Sequence, residues 1–265
     1  MKKAFIPCVL LTIAMLSSVV CGQTTDPRVA DLVKAGKLRV GIGLGGSLSA
    51  LKDAATGEVK GPALDLGRAL AARIGIELQS VYYLTPGLIP GGLKTNAWDV
   101  TFLVIYPGFA AEADHSPPYI QTDFTLLVRA GSPIRTFADV EQPGVRIAAP
   151  RGEPSGVQLS RMLKRAEMVW TESIPAAIEL LRTGGADAYP GLRPVALTEA
   201  GRLPGSWVLE DGYLTIFLAA FVPKGNPGHL SYVSEFIEEA KASGLIKQII
   251  ERNGLQGVQV APAQK

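Results

Sequence analysis

Apolar and polar positions fall into short blocks along this chain, and the blocks repeat one grammar. Lys37-Leu38-Arg39-Val40-Gly41-Ile42 reads as a strand. After a long loop over 43–60, which carries Gly45, Gly46 and a Thr56-Gly57 turn, Leu64 to Ile74 places Leu66, Leu70 and Ile74 on one helical face, and Gly75 ends the helix. Glu77 to Tyr83 is a second strand. Later, Val145-Arg146-Ile147-Ala148-Ala149 leads into a helix over 155–164, a second over 176–182 stopped near Gly184, and a short strand over 186–189. Strand, turn, helix, strand is how an α/β lobe is built, and the chain spells it twice.

The remaining blocks fill in around these two. Arg28 to Ala35 is a short helix stopped at Gly36, and the Pro- and Gly-rich stretch 84–95 reads as a poorly formed helix. Trp98 to Ile105 is a buried strand, Ser116-Pro117-Pro118-Tyr119 a rigid turn, and Phe124 to Arg129 the start of the second lobe. Leu214 to Val222 returns as a strand. Two closing helices, 230–241 and 245–252, are split at Gly244, and 256–265 is a tail.

The start of the chain changes the picture. Met1-Lys2-Lys3 followed by the apolar run Ala4 to Val20 has the form of a secretory signal peptide over residues 1–22. Cleavage after Gly22, acylation at Cys21 as a lipoprotein, and an uncleaved anchor are all open readings. Both cysteines, Cys8 and Cys21, lie in this leader, so the exported part carries no disulfide framework. The leader also takes Lys2 and Lys3 with it. Of 26 basic and 24 acidic residues, 24 and 24 remain, and the net charge falls from +2 to zero. That balance, with no basic stripe, argues against a nucleic-acid partner.

Several residues invite a function. Gly41-Ile42-Gly43-Leu44-Gly45-Gly46 fits the spacing G-x-G-x-x-G, but Ala54-Ala55-Thr56-Gly57 leaves no room for the helix that a dinucleotide site needs at those glycines. The blander reading is a cleft-lining loop. Only two histidines, His115 and His229, are present, and neither sits in a nucleophile motif; no metal and no cofactor are expected. Gly152-Glu153-Pro154-Ser155-Gly156 lies between a strand and a helix. There, free N–H groups can hold a carboxylate, or Ser155 can simply cap the helix. Arg151 and Arg193 are candidate anion clamps, or ordinary surface arginines.

The order of motifs resembles the bacterial extracellular solute-binding proteins of family three, the periplasmic receptors of amino-acid-type ABC importers. The resemblance covers about residues 34–253. It rests on Gly36 to Gly41, Gly61 to Gly75, Ala97-Trp98-Asp99-Val100 and Asp114 to Tyr119. It continues through Phe137-Ala138-Asp139-Val140, Gly144 to Ala148, Gly184 to Ala188, Val222 to Asn226 and Ala242 to Ile246. It implies an α/β, two-lobed periplasmic-binding-protein-like fold of type II, with two hinge crossings near 119–124 and 213–217. Lobe one would be 28–120 completed by 217–255, and lobe two 121–216. It also implies a small-molecule ligand, a permease of the inner membrane as partner, a periplasmic location and a monomer without enzymatic activity.

Two departures bear on the ligand. Where the resemblance implies an arginine for an amino acid's carboxylate, Tyr106-Pro107-Gly108-Phe109 supplies Phe109. Where it implies an aspartate for the ammonium, Asp187-Ala188-Tyr189-Pro190-Gly191-Leu192 supplies Leu192. Losing a bidentate carboxylate contact costs on the order of 2–5 kcal/mol, so a conventional polar amino acid is disfavoured. The expected ligand has an apolar or aromatic body, with or without one acid group. It would be met by Leu44, Leu103, Val104, Tyr106, Phe109 and Tyr189, with Arg151, Gly152, Glu153, Ser155 and Arg193 as polar contacts. Two other classes compete: an enzyme in the same cleft, such as a dehydratase or lyase with Glu153 as general acid, and a sensing receptor without transport.

Overall fold

The computed structural model describes residues 26–263. The expected signal peptide, with Cys8 and Cys21, lies outside the described residues. One sheet runs through the molecule in the strand order 77–83, 37–43, 100–104, 214–223, 120–128, 188–192, 146–150, 167–171. The first three strands are parallel, with Val40 opposite both Ser80 and Val100. The last three are parallel too. Between them the two long strands run antiparallel to each other, Leu214 opposite Phe124 and Leu218 opposite Ile120. Each then pairs antiparallel with one flank: Leu218–Phe221 with Thr101–Val104, and Phe124–Val128 with Ala188–Leu192.

The apolar cores follow this division. One cluster packs Leu38, Val40, Leu66, Leu70 and Phe102 against Tyr232, Phe236, Ile246 and Ile249 of the two closing helices. On the other flank Leu126, Ile147 and Leu159 form one cluster, and Leu127, Ala148, Ala177 and Tyr189 another. Neighbouring residues of one strand belong to opposite clusters, because successive side chains point to opposite faces and both faces are covered by helices. This is why those strands read as unbroken apolar runs.

Local chemistry sets the element ends. The helix Pro62–Ile74 starts with proline, whose missing N–H would have had no partner there. It stops at Gly75, which takes a left-handed φ of 83° and closes the last turn onto Ala71 and Ala72. Ser173 caps Ile174–Thr183 by accepting the N–H of Ala176 at 3.3 Å.

Several expectations need correction. The loop 43–60 contains a small hairpin, Leu51–Lys52 against Val59–Lys60. The stretch 84–95 does hold an irregular helix, of 3-10 form over Pro86–Thr95, where Pro90 lacks the N–H an α-helix would use. The lobe-two helix spans Pro154–Met162, so Ser155 lies inside its first turn and Glu153 precedes it. A strand at Glu167–Thr171 and a helix at Arg193–Ala200 escaped the pattern reading. The tail is not free. Gln259–Val260 pairs with Gln121 and Ile120, so a third strand runs along the crossing.

Candidate functional site

The strands 37–43, 77–83 and 100–104 end on one side of their flank. The chain that follows each of them, at Gly45, at Pro86 and Gly87, and at Ile105 to Pro107, forms one wall of a cavity of about 1120 Å³. The opposite wall comes from the other flank: Glu153 and Pro154 after the strand Arg146–Pro150, Leu192 at the end of Ala188–Leu192, Gln158 one helical turn on, and Phe124. Leu214 to Phe217 of the crossing and Ala261 to Ala263 of the tail complete it. Ligands of open α/β sheets bind beyond the carboxyl ends of the strands, and here two sets of such ends share one cavity.

Glu153 is the acid of this cavity. It is half-buried, and burial pushes its carboxyl above the ordinary 4.5; the Ser155 hydroxyl and the N–H groups of Ser155 and Gly156 pull the other way. Ser155 is buried, and its hydroxyl contacts a Glu153 carboxyl oxygen and the carbonyl of Pro190, the latter at 2.9 Å. Tyr213 donates to the Ser155 carbonyl at 2.9 Å. The Tyr213 phenol is pushed up by burial and then by the Glu153 charge.

The cavity gathers some of the expected contacts and leaves out others. Leu103, Val104, Tyr106 and Glu153 line it. Leu44 packs on the lobe-one core, and its neighbour Gly45 faces the cavity instead. Phe109 is 1% exposed and sits in a core cluster with Trp98 and Phe221, its ring 4.6 Å from that of Phe221. Its stacking on Tyr106, at 5.8 Å, and the presence of Leu103 in the same cluster link it to the cavity wall. Tyr189 is fully buried in a lobe-two core cluster and does not line the cavity, although the Glu153 charge helps to push its phenol up.

The expected anion clamps Arg151 and Arg193 lie outside the cavity lining. Arg151 and Gly152 are exposed outside the lining, and Arg151 has only a 3.7 Å contact with Glu172. Arg193 is spent on the carbonyls of Leu209 and Glu210, at 3.0 and 2.7 Å, and on Asp123. His229 pairs with Asp31 at 2.9 Å, and neither histidine lines the cavity. Among the described residues no group of three His, Cys, Asp or Glu could hold a metal.

Sequence reasoning missed Phe124, Gln158, Leu192 as a wall residue, and the crossing residues Leu214 to Phe217. A signal for the last was available: Leu214-Thr215-Ile216-Phe217 lies where the expected hinge crosses between the lobes, and a hinge borders the cleft.

Two α/β flanks on one sheet, joined by paired crossing strands and sharing a cavity at their strand ends, define a two-lobed solute-binding fold of type II. Comparison with known proteins gives the family. Residues 41–256 match the bacterial extracellular solute-binding proteins, family 3, and the chain belongs to that family. It is 28% identical over 187 residues to a glutamine-binding protein of Geobacillus stearothermophilus, covering 68% of this chain and 70% of that one. It is 30% identical over 140 residues to a probable amino-acid ABC transporter periplasmic-binding protein, y4tE, of Sinorhizobium fredii, covering 50% of this chain and 46% of that one. Among solved structures it resembles the ancestral cationic amino acid solute-binding protein AncCDT-1, with a TM-score of 0.72 and 27% identity over 84% of this chain and 98% of that one. A second structure of AncCDT-1 describes it as a precursor of cyclohexadienyl dehydratase. Among the described residues no helix is long and apolar enough to cross a membrane.

Proposed function

We propose that this protein is an exported, monomeric receptor that takes a small organic solute between its lobes and presents the closed form to an ABC permease. The observation that carries this reading is a cavity walled by strand ends of both flanks. A ligand touching both walls favours the closed state, because only a differential contact shifts such an equilibrium. In this reading lobe one comprises residues 28–120 and 217–255, and lobe two 121–216. The ligand is more apolar than a standard polar amino acid. Leucine, isoleucine, valine, phenylalanine and proline side chains dominate the lining, and neither Arg193 nor Arg151 is placed to grip a carboxylate.

One observation favours a second reading, an enzyme in the same cleft: Glu153 faces the cavity with its carboxyl pushed up by burial, as a general acid requires. Turnover of a small hydroxylated carboxylic acid that persists in Glu153→Gln would remove that version.

A thermal-shift screen against amino acids, aromatic and aliphatic acids, and amines tests the receptor reading. A ligand bound only by the folded state at a hundred times its dissociation constant adds about 2.7 kcal/mol. At this chain length that is a rise of roughly 5–10 °C. No rise with any compound of the screen contradicts the reading.

A further inference from the structure

The polar groups of the cavity are few and unbalanced in charge. Among the described residues that line it, Glu153 is the one acid, and none is Lys, Arg or His. Gln158 and Thr215 are neutral, and Tyr106, Phe124 and Phe217 present aromatic rings.

Glu153 itself lacks a cationic partner. Its contacts are the Ser155 hydroxyl and the nearby N–H groups of Ser155 and Gly156, none of which carries a positive charge. The Ser155 hydroxyl has one proton and two acceptors within reach, the Pro190 carbonyl and the Glu153 carboxyl. When that proton goes to Pro190, no side-chain donor remains on the carboxylate. The position at the helix start that would suit a ligand's carboxylate is therefore occupied by the chain's own acid. A second anion there would meet a like charge with no counter-ion. A cation would meet a carboxylate without a counter-ion, in a cavity whose wall also carries Tyr106, Phe124 and Phe217.

We propose that the solute is a hydrophobic amine: a primary ammonium on an aromatic or alicyclic body without a carboxylate. Its head pairs with Glu153, and its body lies against Tyr106, Phe124, Phe217 and Leu192. This rests on the receptor reading above and names its ligand class.

Calorimetric titration of the purified protein with three matched sets tests it. Phenethylamine, cyclohexylamine and hexylamine are compared with phenylacetate, cyclohexanecarboxylate and hexanoate, and with phenylalanine. Phenethylamine or cyclohexylamine is expected to bind ten times more tightly than its matched acid and than phenylalanine. Glu153→Gln is expected to weaken that amine at least tenfold, whereas Glu153→Asp, which keeps the charge, retains more of the affinity; thermal melts verify that each variant folds. Tighter binding of an acid or of phenylalanine, or amine binding that Glu153→Gln leaves unchanged, overturns the amine assignment while leaving a solute receptor. Absence of binding by these compounds, with a thermal rise from some other solute in the wider screen, also overturns the amine assignment alone. Absence of any hit in both experiments overturns the receptor reading as well.

Discussion

Arg193 and Asp123 form an ion pair at 3.4 Å that ties the start of the Arg193–Ala200 helix to the crossing strand. Asp123 also accepts from Thr215 of the second crossing at 3.0 Å. The tail packs on the same arginine: a Cβ at Gly257 would stand 2.6 Å from Arg193 Cγ and Cδ. In this structure the Arg193 guanidinium fastens the crossing strand and is engaged by Asp123 and two backbone carbonyls. Arg193→Ala removes two hydrogen bonds to carbonyls and the pairing with Asp123. It is expected to lower stability by about 2–3 kcal/mol, the scale of hydrogen bonds to charged groups. Urea unfolding measures it; a loss below about 0.5 kcal/mol, the level of an ordinary surface substitution, contradicts the assignment.

Phe109→Ala should behave as a core truncation. The ring is buried among Trp98, Phe221 and Tyr106, so the expected loss is about 3–5 kcal/mol. Tyr106→Phe, at an exposed cavity wall, should shift the same unfolding midpoint little. Equal effects from the two substitutions would place Phe109 outside the core.

Gly43 is required by a close approach. A Cβ there would lie 2.4 Å from Pro86 Cα and 2.6 Å from its nitrogen, backbone atoms that cannot rotate aside. Gly43→Ala should therefore push back the turn at Pro86 and Gly87 and cost about 1–3 kcal/mol, as overpacking does. Because that turn is cavity wall, the affinity for any ligand found in the screen should fall with it. A variant as stable as the parent argues against the contact.

Glu153 gives stability a pH signature. Its folded carboxyl titrates above the ordinary 4.5, chiefly through burial, so over that interval the folded state binds more protons than the unfolded one. Its contribution is fully present below 4.5 and is lost as pH rises through the raised value. Relative to Glu153→Gln, the parent should thus lose stability as pH climbs across that interval. Thermal melts of both proteins at a series of pH values show this as a widening difference in favour of the variant. A difference that stays constant with pH contradicts a raised carboxyl.

The pattern of apolar positions carried most of the fold. Leu66, Leu70 and the closing helices were legible because one covered face imposes a helical period. The long crossings were legible as apolar strands. Orientation within the doubly covered strands was not, since Ala188 and Tyr189 are both buried and only the sheet's placement decides which cluster each joins. Phe109 failed for a related reason: a single helical turn at Pro107–Ala110 can aim its ring at core or cleft with the same residues. Glu153 was legible because an acid between a buried strand and a helix start has few places to go. Arg193 was not, because its partners are backbone carbonyls of residues 209 and 210 that no local pattern announces.

Closure of the two lobes on a solute is most directly tested by small-angle X-ray scattering, with and without a saturating amount of the compound that gives the largest thermal rise. The account predicts a smaller radius of gyration in the bound state, as the walls bearing Tyr106 and Glu153 approach each other. A thermal rise with an unchanged radius would contradict it.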